Sequence, residues 1–519
     1  MDFAIDIISK LFLVGSLLSP SSVWNSASWA SESNSYYVKC LSLKSNLNFL
    51  ENTTILDVSY VPGASKLTPL GTCGGTAYAN APLCRVQFVT NTTDSSAIHA
   101  EAWLPDNWHG RFLGLGNGGL GGCIDYVGLD YGTSLHFAAV GSNNGHDGSG
   151  RPFLGHPEVI NDFAFRAIHA EAVVGKQIVA AYYGRPHAKS YYLGCSTGGR
   201  QGTQAALKFP EDFDGIVAGA PATDFNRLLH WSGMLARHAG APDPSSPAFI
   251  PPELWQVVSR EIFNQCDMLD GVRDGIITEP DDCNFRPEAL LCLGENNGEC
   301  LTRLQAEALR KIYSPFYVDG ELWYPRYDPG AEASPGRAVI FSGAFPIYPK
   351  EWLKYAVLNV SDFDFGEYGV KHGRLMEQLN PGGIATFNGD LSAFRDRGGK
   401  FLTYHGRVDP LIASGNSKRV YNLISHTLGM PSLDAFYRLF LVPGMDHCTG
   451  GPGASNLGQR GPAPVNASSH NILLALVDWV EGGRAPDTII GTADDGETRV
   501  HCRYPMRSVW DGKAFRCTE

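Results

Sequence analysis

The chain contains no Lys/Arg run, and its formal net charge is −12 over 519 residues. Proteins that bind duplex DNA or anionic membranes present basic patches, so neither partner is expected. An uncharged or modestly charged substrate fits better. No stretch after the N-terminal region reaches about 18 apolar residues, which leaves no candidate for a membrane-spanning helix. None of the 12 cysteines stands in a Cys-x-x-Cys pair, so zinc-site spacing is missing as well. What is present is ordinary globular composition, 43% apolar and 18% charged. The 59 glycines and 32 prolines imply many loops. The length exceeds a single small core and implies one large domain with an insertion, or two domains.

The cysteine count is even and the spacing wide, which predicts up to six disulfides and an oxidising compartment. Four Asn-x-Ser/Thr sequons agree, at Asn52, Asn91, Asn359 and Asn466. A short apolar run over residues 7–18 is broken by Lys10. Ser28-Trp29-Ala30 follows as a small-x-Ala cleavage pattern. Asp2 and Asp6 depart from the positive start of a typical signal peptide. Residues 1–30 are nonetheless read as a signal peptide, and the protein as secreted and extracellular.

The stretch around which the rest is organised is Gly194-Cys195-Ser196-Thr197-Gly198-Gly199-Arg200. It holds Gly-x-Ser-x-Gly between a strand over residues 190–193 and a helix over 201–208. Strand, sharp turn and helix are the context of a nucleophile elbow, in which flanking glycines give room to a strained serine. The alternative is a glycine-rich loop with a chance serine.

Residues 31–100 read as a β-rich entry. Segments 86–90 and 98–105 alternate apolar and polar residues and predict an antiparallel hairpin at a sheet edge. The strand from Phe112 then runs into glycines. Gly114, Gly116 and Gly119 match a dinucleotide fingerprint, but no amphipathic helix or spaced acid follows. An oxyanion loop is the better reading: N–H groups near Gly118 would join that of Thr197. The alternative is a flexible glycine loop. Residues 137–141, 214–221 and 399–406 predict further core strands, and 162–183 a helix with three- and four-residue apolar spacing. Alternating strands and helices imply a mostly parallel sheet covered on both faces, an α/β fold. The hydrolase core spans residues 31–223 and 396–519. The aromatic- and Pro-rich stretch 224–395 is read as an inserted lid domain. Any single lid aromatic is more readily a core residue than a pocket residue.

Asp409 follows the strand ending near Gly406, and His447 follows the strand over residues 440–443. The order Ser196, Asp409, His447 is the α/β-hydrolase order, each residue just past a strand end. A neutral histidine takes the serine proton and a carboxylate orients the imidazole. Asp446, adjacent to His447, is expected to point elsewhere. In the lid, Asp267, Asp270 and Asp274 with turn glycines resemble a hard-cation loop suited to Ca²⁺, although not an EF-hand. An Asx-turn surface loop is the alternative. Residues 471–481 predict a helix packing on the sheet, and Cys502 and Cys517 would staple the tail.

Cys195-Ser196 and His447-Cys448, with Asp409 between them in the chain, resemble the tannase and feruloyl esterase family of secreted serine esterases. The resemblance covers nearly all of the chain after residue 30. It implies an α/β-hydrolase fold, with Ser196, Asp409 and His447 as catalytic residues. It also implies a Cys195–Cys448 disulfide that ties the nucleophile and base loops together. The other pairings it implies are Cys40–Cys84, Cys73–Cys123, Cys266–Cys283, Cys292–Cys300 and Cys502–Cys517. It implies a structural calcium held by Asp267, Asp270 and Asp274 with backbone oxygens of Val272 and Ile276. No redox cofactor is expected. The activity implied is hydrolysis of hydroxycinnamoyl esters of plant cell-wall polysaccharide. The alternatives are a tannase acting on galloyl esters and, in a different class, an inactive hydrolase fold that binds carbohydrate.

Overall fold

A computed structural model describes residues 23–71, 73, 76–294 and 298–518. The first described element is α1 (Val23–Asn46). This corrects the β-rich reading of residues 31–46. Cys40, Leu43 and Leu47 recur at spacings of three and four and are all buried, a helical period that no strand reproduces. The apolar run over residues 7–18 lies outside the described residues. The Ser28-Trp29-Ala30 step falls within α1.

Nine strands build the main sheet. They are β1 (Thr53–Val61), β2 (Leu83–Thr93), β3 (Ser96–Pro105), β4 (Arg111–Leu115), β5 (Phe137–Ser142), β6 (Lys189–Cys195), β7 (Gly215–Gly219), β8 (Lys400–Gly406) and β9 (Tyr437–Val442). The spatial order is β1-β2-β3-β5-β4-β6-β7-β8-β9. Strands β1, β2, β3 and β5 pair antiparallel in succession. From β5 across to β9 every pair is parallel. The β2–β3 hairpin is therefore not the edge; β1 covers it.

Helices α2 (Tyr126–Ser134), α3 (Ala167–Tyr183) and α4 (Thr197–Lys208) connect the strands, as parallel pairing requires. Side chains alternate across the sheet. Phe112 and Tyr192 pack under α3, with Ile178 and Val179. Leu113, Tyr191 and Leu193 face the other way, toward the C-terminal helix.

Between β7 and β8 the described chain adds no strand to this sheet. It forms α5 (Phe225–His238), α6 (Pro252–Cys266), α7 (Arg303–Ile312) and α8 (Val370–Leu379), short turns and a hairpin of Phe316–Val318 with Glu321–Tyr324. Trp231, Trp255, Trp352, Tyr324 and Tyr327 are fully buried there, so most of its aromatics fill its own core. That core continues into Phe153 and Phe163 of the sheet layer, which seats the segment on the C-terminal ends of the strands. After β8 come α9 (Gly415–Leu428) and α10 (Ile472–Gly482). Asn471 caps α10, its side chain accepting from Leu474 N at 3.0 Å. Leu473, Leu476 and Trp479 of α10 are buried against the sheet.

Candidate active site

Strand β6 ends in a turn that only a crowded backbone explains. Ser196 adopts φ 62°, ψ −119°, a region an L-residue rarely occupies, and α4 begins on the next residue. A Cβ added to Gly194 would lie 2.7 Å from the Gly198 carbonyl carbon, and one added to Gly198 would lie 3.0 Å from Asn117 O. Gly194 therefore has no room for a side chain, and Gly198 is tightly enclosed. Ser196 N–H donates to Gly219 O at 2.9 Å, which pins the turn to β7. The helix starts earlier than the sequence pattern marked, because Thr197 enters it directly from the strained serine.

The loop after β8 carries Asp409, which is fully buried. Its Oδ1 accepts from the N–H groups of Leu411 (2.8 Å) and Ile412 (3.0 Å). Its Oδ2 accepts from His447 Nδ1 at 2.7 Å. His405 Nε2 stands 3.3 Å from the same Oδ2 and 2.9 Å from Ile412 O. Two acceptors at Nε2 place the proton there, so Nδ1 accepts from Ser417 Oγ at 2.7 Å. Burial by itself would raise the Asp409 pKa. The His447 charge and the hydrogen bonds from His405 and His447 outweigh it and hold the carboxyl well below the usual range.

His447 follows β9. Burial disfavours its charged form, but the Asp409 charge and hydrogen bond prevail, and its pKa lies above the ordinary imidazole value. The exposed cation Arg460 acts in the opposite sense. Asp446 turns away as expected: Oδ1 caps His447 N–H at 2.6 Å and Oδ2 accepts from Ser334 Oγ at 2.5 Å. Cys195 and Cys448, beside Ser196 and His447, form a disulfide with Cα atoms 6.3 Å apart. The remaining cysteines pair as 40–84, 73–123, 266–283, 292–300 and 502–517.

Ser196, His447, Thr197 and Gly118 all line one cavity of about 420 Å³. Space beside Gly118 is open: a Cβ there would meet nothing within 4 Å. The N–H groups of Gly118 and Thr197 have no acceptor among the described residues. Thr197 Oγ1 donates to Gly119 O at 2.6 Å, which joins the glycine loop to the elbow. The opposite wall comes from the segment after β7. Phe225, Leu228, Leu229 and Val339 make it apolar, with hydroxyls only from Ser232 and Tyr348.

The acidic loop lies apart from this cavity, between α6 and Cys283. Asp267, Asp270 and Asp274 accept from the N–H groups of Gly275, Val272 and Ile276, each at 3.0 Å. Thr278 Oγ1 also donates to Asp270. The Asp270–Val272 and Asp274–Ile276 bonds are Asx turns, the alternative left open by the sequence, whereas the Asp267–Gly275 bond spans eight residues and closes the loop. The donor chemistry also fits a hard divalent cation. Burial raises the Asp274 pKa and the charges of Asp270 and Asp267 add to it, while the Ile276 N–H bond and the charge of Arg499 act in the opposite sense. Among the described residues, the group of three His, Cys or acidic side chains with ligand atoms all within 4.8 Å of one another is Cys195, His447 and Cys448; the carboxylates of Asp267, Asp270 and Asp274 do not converge that closely. Cys195 and Cys448 are joined as a disulfide, so that group offers no thiolate pair.

The sequence pattern gives no role to His405 or Gln201, which fall within the predicted strand 399–406 and the predicted helix 201–208. His405 stands four residues before Asp409, a spacing that becomes a contact only because β8 ends in a tight loop.

A strained serine, a histidine held by a buried carboxylate and two free N–H groups meet above a parallel sheet, which is the design of α/β-hydrolase serine enzymes. Comparison with known proteins narrows this class. The chain belongs to the tannase and feruloyl esterase family, whose profile matches residues 84–352 and 348–518. It is a carboxylic ester hydrolase. It is 43% identical over 505 residues to "Probable feruloyl esterase B-2" of Aspergillus oryzae, covering 94% of this chain and 95% of that protein. It is 44% identical over 499 residues to "Probable feruloyl esterase B-2" of Aspergillus fumigatus, covering 92% and 93%. The crystal structure of feruloyl esterase B from Aspergillus oryzae superposes with a TM-score of 0.90 at 39% identity, over 93% of this chain and 100% of that one. Tannin acyl hydrolase from Aspergillus niger shares the fold, with a TM-score of 0.74 at 21% identity, over 92% and 96%.

Proposed function

We propose that this protein is a secreted feruloyl esterase that releases ferulic or related hydroxycinnamic acids from plant cell-wall polysaccharide esters. The observation that carries the chemistry is the 2.7 Å Asp409–His447 pair sharing a cavity with the strained Ser196. Ser196 Oγ attacks the ester carbonyl as its proton passes to His447 Nε2. The oxyanion rests on the N–H groups of Thr197 and Gly118, each donor lowering the barrier by about 3 kcal/mol. The C–O bond to the alcohol breaks, and the alcohol leaves with the proton from His447. Water, deprotonated by His447, then attacks the acyl-enzyme, and the acid departs as Ser196 regains its proton. Asp409 orients the imidazole and stabilises its cation without itself taking a proton.

The acyl choice draws support from the apolar wall. A trihydroxylated galloyl ring needs several hydrogen-bonding partners, and against this wall it would meet only the Ser232 and Tyr348 hydroxyls, with the polar side chains of Asp125, Gln459 and Arg460 lying elsewhere in the lining. A hydroxycinnamoyl group presents an apolar linker and fewer hydroxyls. The test is hydrolysis of methyl ferulate and methyl gallate side by side, with Ser196→Ala as control. Turnover of ferulate alone is expected. Turnover of gallate alone would make the protein a tannase. Turnover of neither by folded protein would return the inactive, carbohydrate-binding reading.

Asp267, Asp270 and Asp274, with carbonyls of Val272 and Ile276, would hold a structural calcium, which would knit α6 to the Cys283 end of the loop. Secretion is supported by six disulfides among the described residues and by the exposure of Asn52, Asn91, Asn359 and Asn466. No helix of the described residues is long and apolar enough to cross a membrane.

A further inference from the structure

One turn after Thr197, α4 carries Gln201, which is 2% exposed. Its Oε1 accepts from Asn117 N–H at 2.9 Å. Its Nε2 donates to Asn117 Oδ1 at 3.0 Å and to Asn144 Oδ1 at 2.9 Å. The orientation is unambiguous, because a backbone N–H can only donate and therefore must face Oε1. Asn117 is held from its other side as well: Nδ2 donates to Cys123 O at 2.8 Å and Ser142 O at 2.7 Å. Two of the Gln201 side-chain hydrogen bonds thus grip Asn117 on the loop that presents Gly118, a third ties that grip to Asn144 after β5, and Asn117 has no side-chain freedom left.

From this we infer that Gln201 is the positioning residue that registers the oxyanion loop against the nucleophile elbow. The two oxyanion donors come from different places in the chain, Gly118 after β4 and Thr197 at the start of α4. Their N–H groups serve one oxygen only if they converge to within a few tenths of an ångström. Gln201 shares a rigid helical turn with Thr197 and grips the residue before Gly118, so it fixes one donor relative to the other. A buried amide network is suited to this because shifting the loop would leave several polar groups unpaired at once. Substrate does not reach Gln201; it acts through Asn117 and Gly118.

The inference rests on the esterase reading, and the experiment separates the two. Gln201→Met keeps the length of the side chain and removes its hydrogen bonds to Asn117 and Asn144. Gln201→Glu keeps the shape and the acceptor for Asn117 N–H, and removes the two donors. With methyl ferulate, kcat should fall roughly 10- to 100-fold while KM stays within about two-fold, because displaced donors weaken transition-state binding selectively. The preference for the ester over the matching thionoester should shrink, since a loosened hole no longer discriminates oxygen from the larger sulfur. A folded variant with unchanged kcat, or one that slows ester and thionoester equally, would overturn the proposal. Failure of the near-isosteric Glu variant to fold would assign Gln201 to the fold and overturn it equally. Absence of any ester turnover by the wild type would instead bring down the esterase reading.

Discussion

His405 Nε2 and Asp409 Oδ2 face each other across 3.3 Å, four residues apart in the chain and both fully buried. The catalytic carboxylate thus has two histidines on one oxygen, one reacting and one fixed. His405 is locked by Ile412 O and Ser417 Oγ, so it serves as a scaffold that keeps Asp409 turned toward His447.

Replacing His405 with Leu should therefore lower stability by about 1–3 kcal/mol, because Ser417 and Asp409 lose a buried partner. It should also lower kcat with little change in KM. Thermal unfolding with methyl ferulate kinetics checks both. Unchanged kcat would remove His405 from the machinery.

Activity requires neutral His447. Its pKa lies above the ordinary imidazole value, so the protonated, inactive form persists to higher pH. On lowering the pH, kcat/KM should fall with a midpoint above about 6.5. Arg460 opposes that protonation, so Arg460→Gln should move the midpoint upward. A downward or absent shift would contradict the charge assignment.

The Cys195–Cys448 bridge closes a sequence separation of 253 residues beside both reacting side chains. Replacing both cysteines with serine leaves the triad intact but frees two loops. A drift of about 1 Å can cost on the order of 100-fold in rate. We expect kcat/KM to fall at least roughly ten-fold, with a lower melting temperature. A fully active double variant would sink the clamp.

Gly194→Ala would bring a Cβ to 2.7 Å from the backbone of Gly198, which has no side chain to yield. The elbow must shift, so labelling of Ser196 by a serine-directed inhibitor should drop sharply. Normal labelling would show that the turn has slack.

Chelation of calcium should lower the melting temperature by roughly several degrees, since a ligand bound only to folded protein stabilises it. In Asp270→Asn protein the chelator should have a smaller effect. An unchanged melting curve, with elemental analysis finding no metal, would rule the site out.

Much of this protein can be read without coordinates because its signals are local. The elbow was legible because Gly194, Ser196 and Gly198 lie within five residues. Asp409 and His447 were legible because each follows an apolar strand run. The helices of residues 162–183 and 471–481 announced themselves by period. Other features needed the folded chain. Helix α1 is not legible as a helix because its buried stripe of Cys40, Leu43 and Leu47 is short, lies at its C-terminal end and sits in polar sequence. Cysteine pairing depends on which loops meet in space, and twelve positions in a chain contain no such information. Which aromatics of residues 224–395 line the cavity and which fill the core depends on packing, so Trp231 and Phe225 look alike in sequence. The grips of Gln201 on Asn117 and of His405 on Asp409 also belong to tertiary structure. Sequence alone determined the chemistry, because a nucleophile, a base and an acid are identities fixed by residue type. Tertiary structure decided how those groups are aimed, because a hydrogen bond exists only where two parts of the chain meet within about 3 Å.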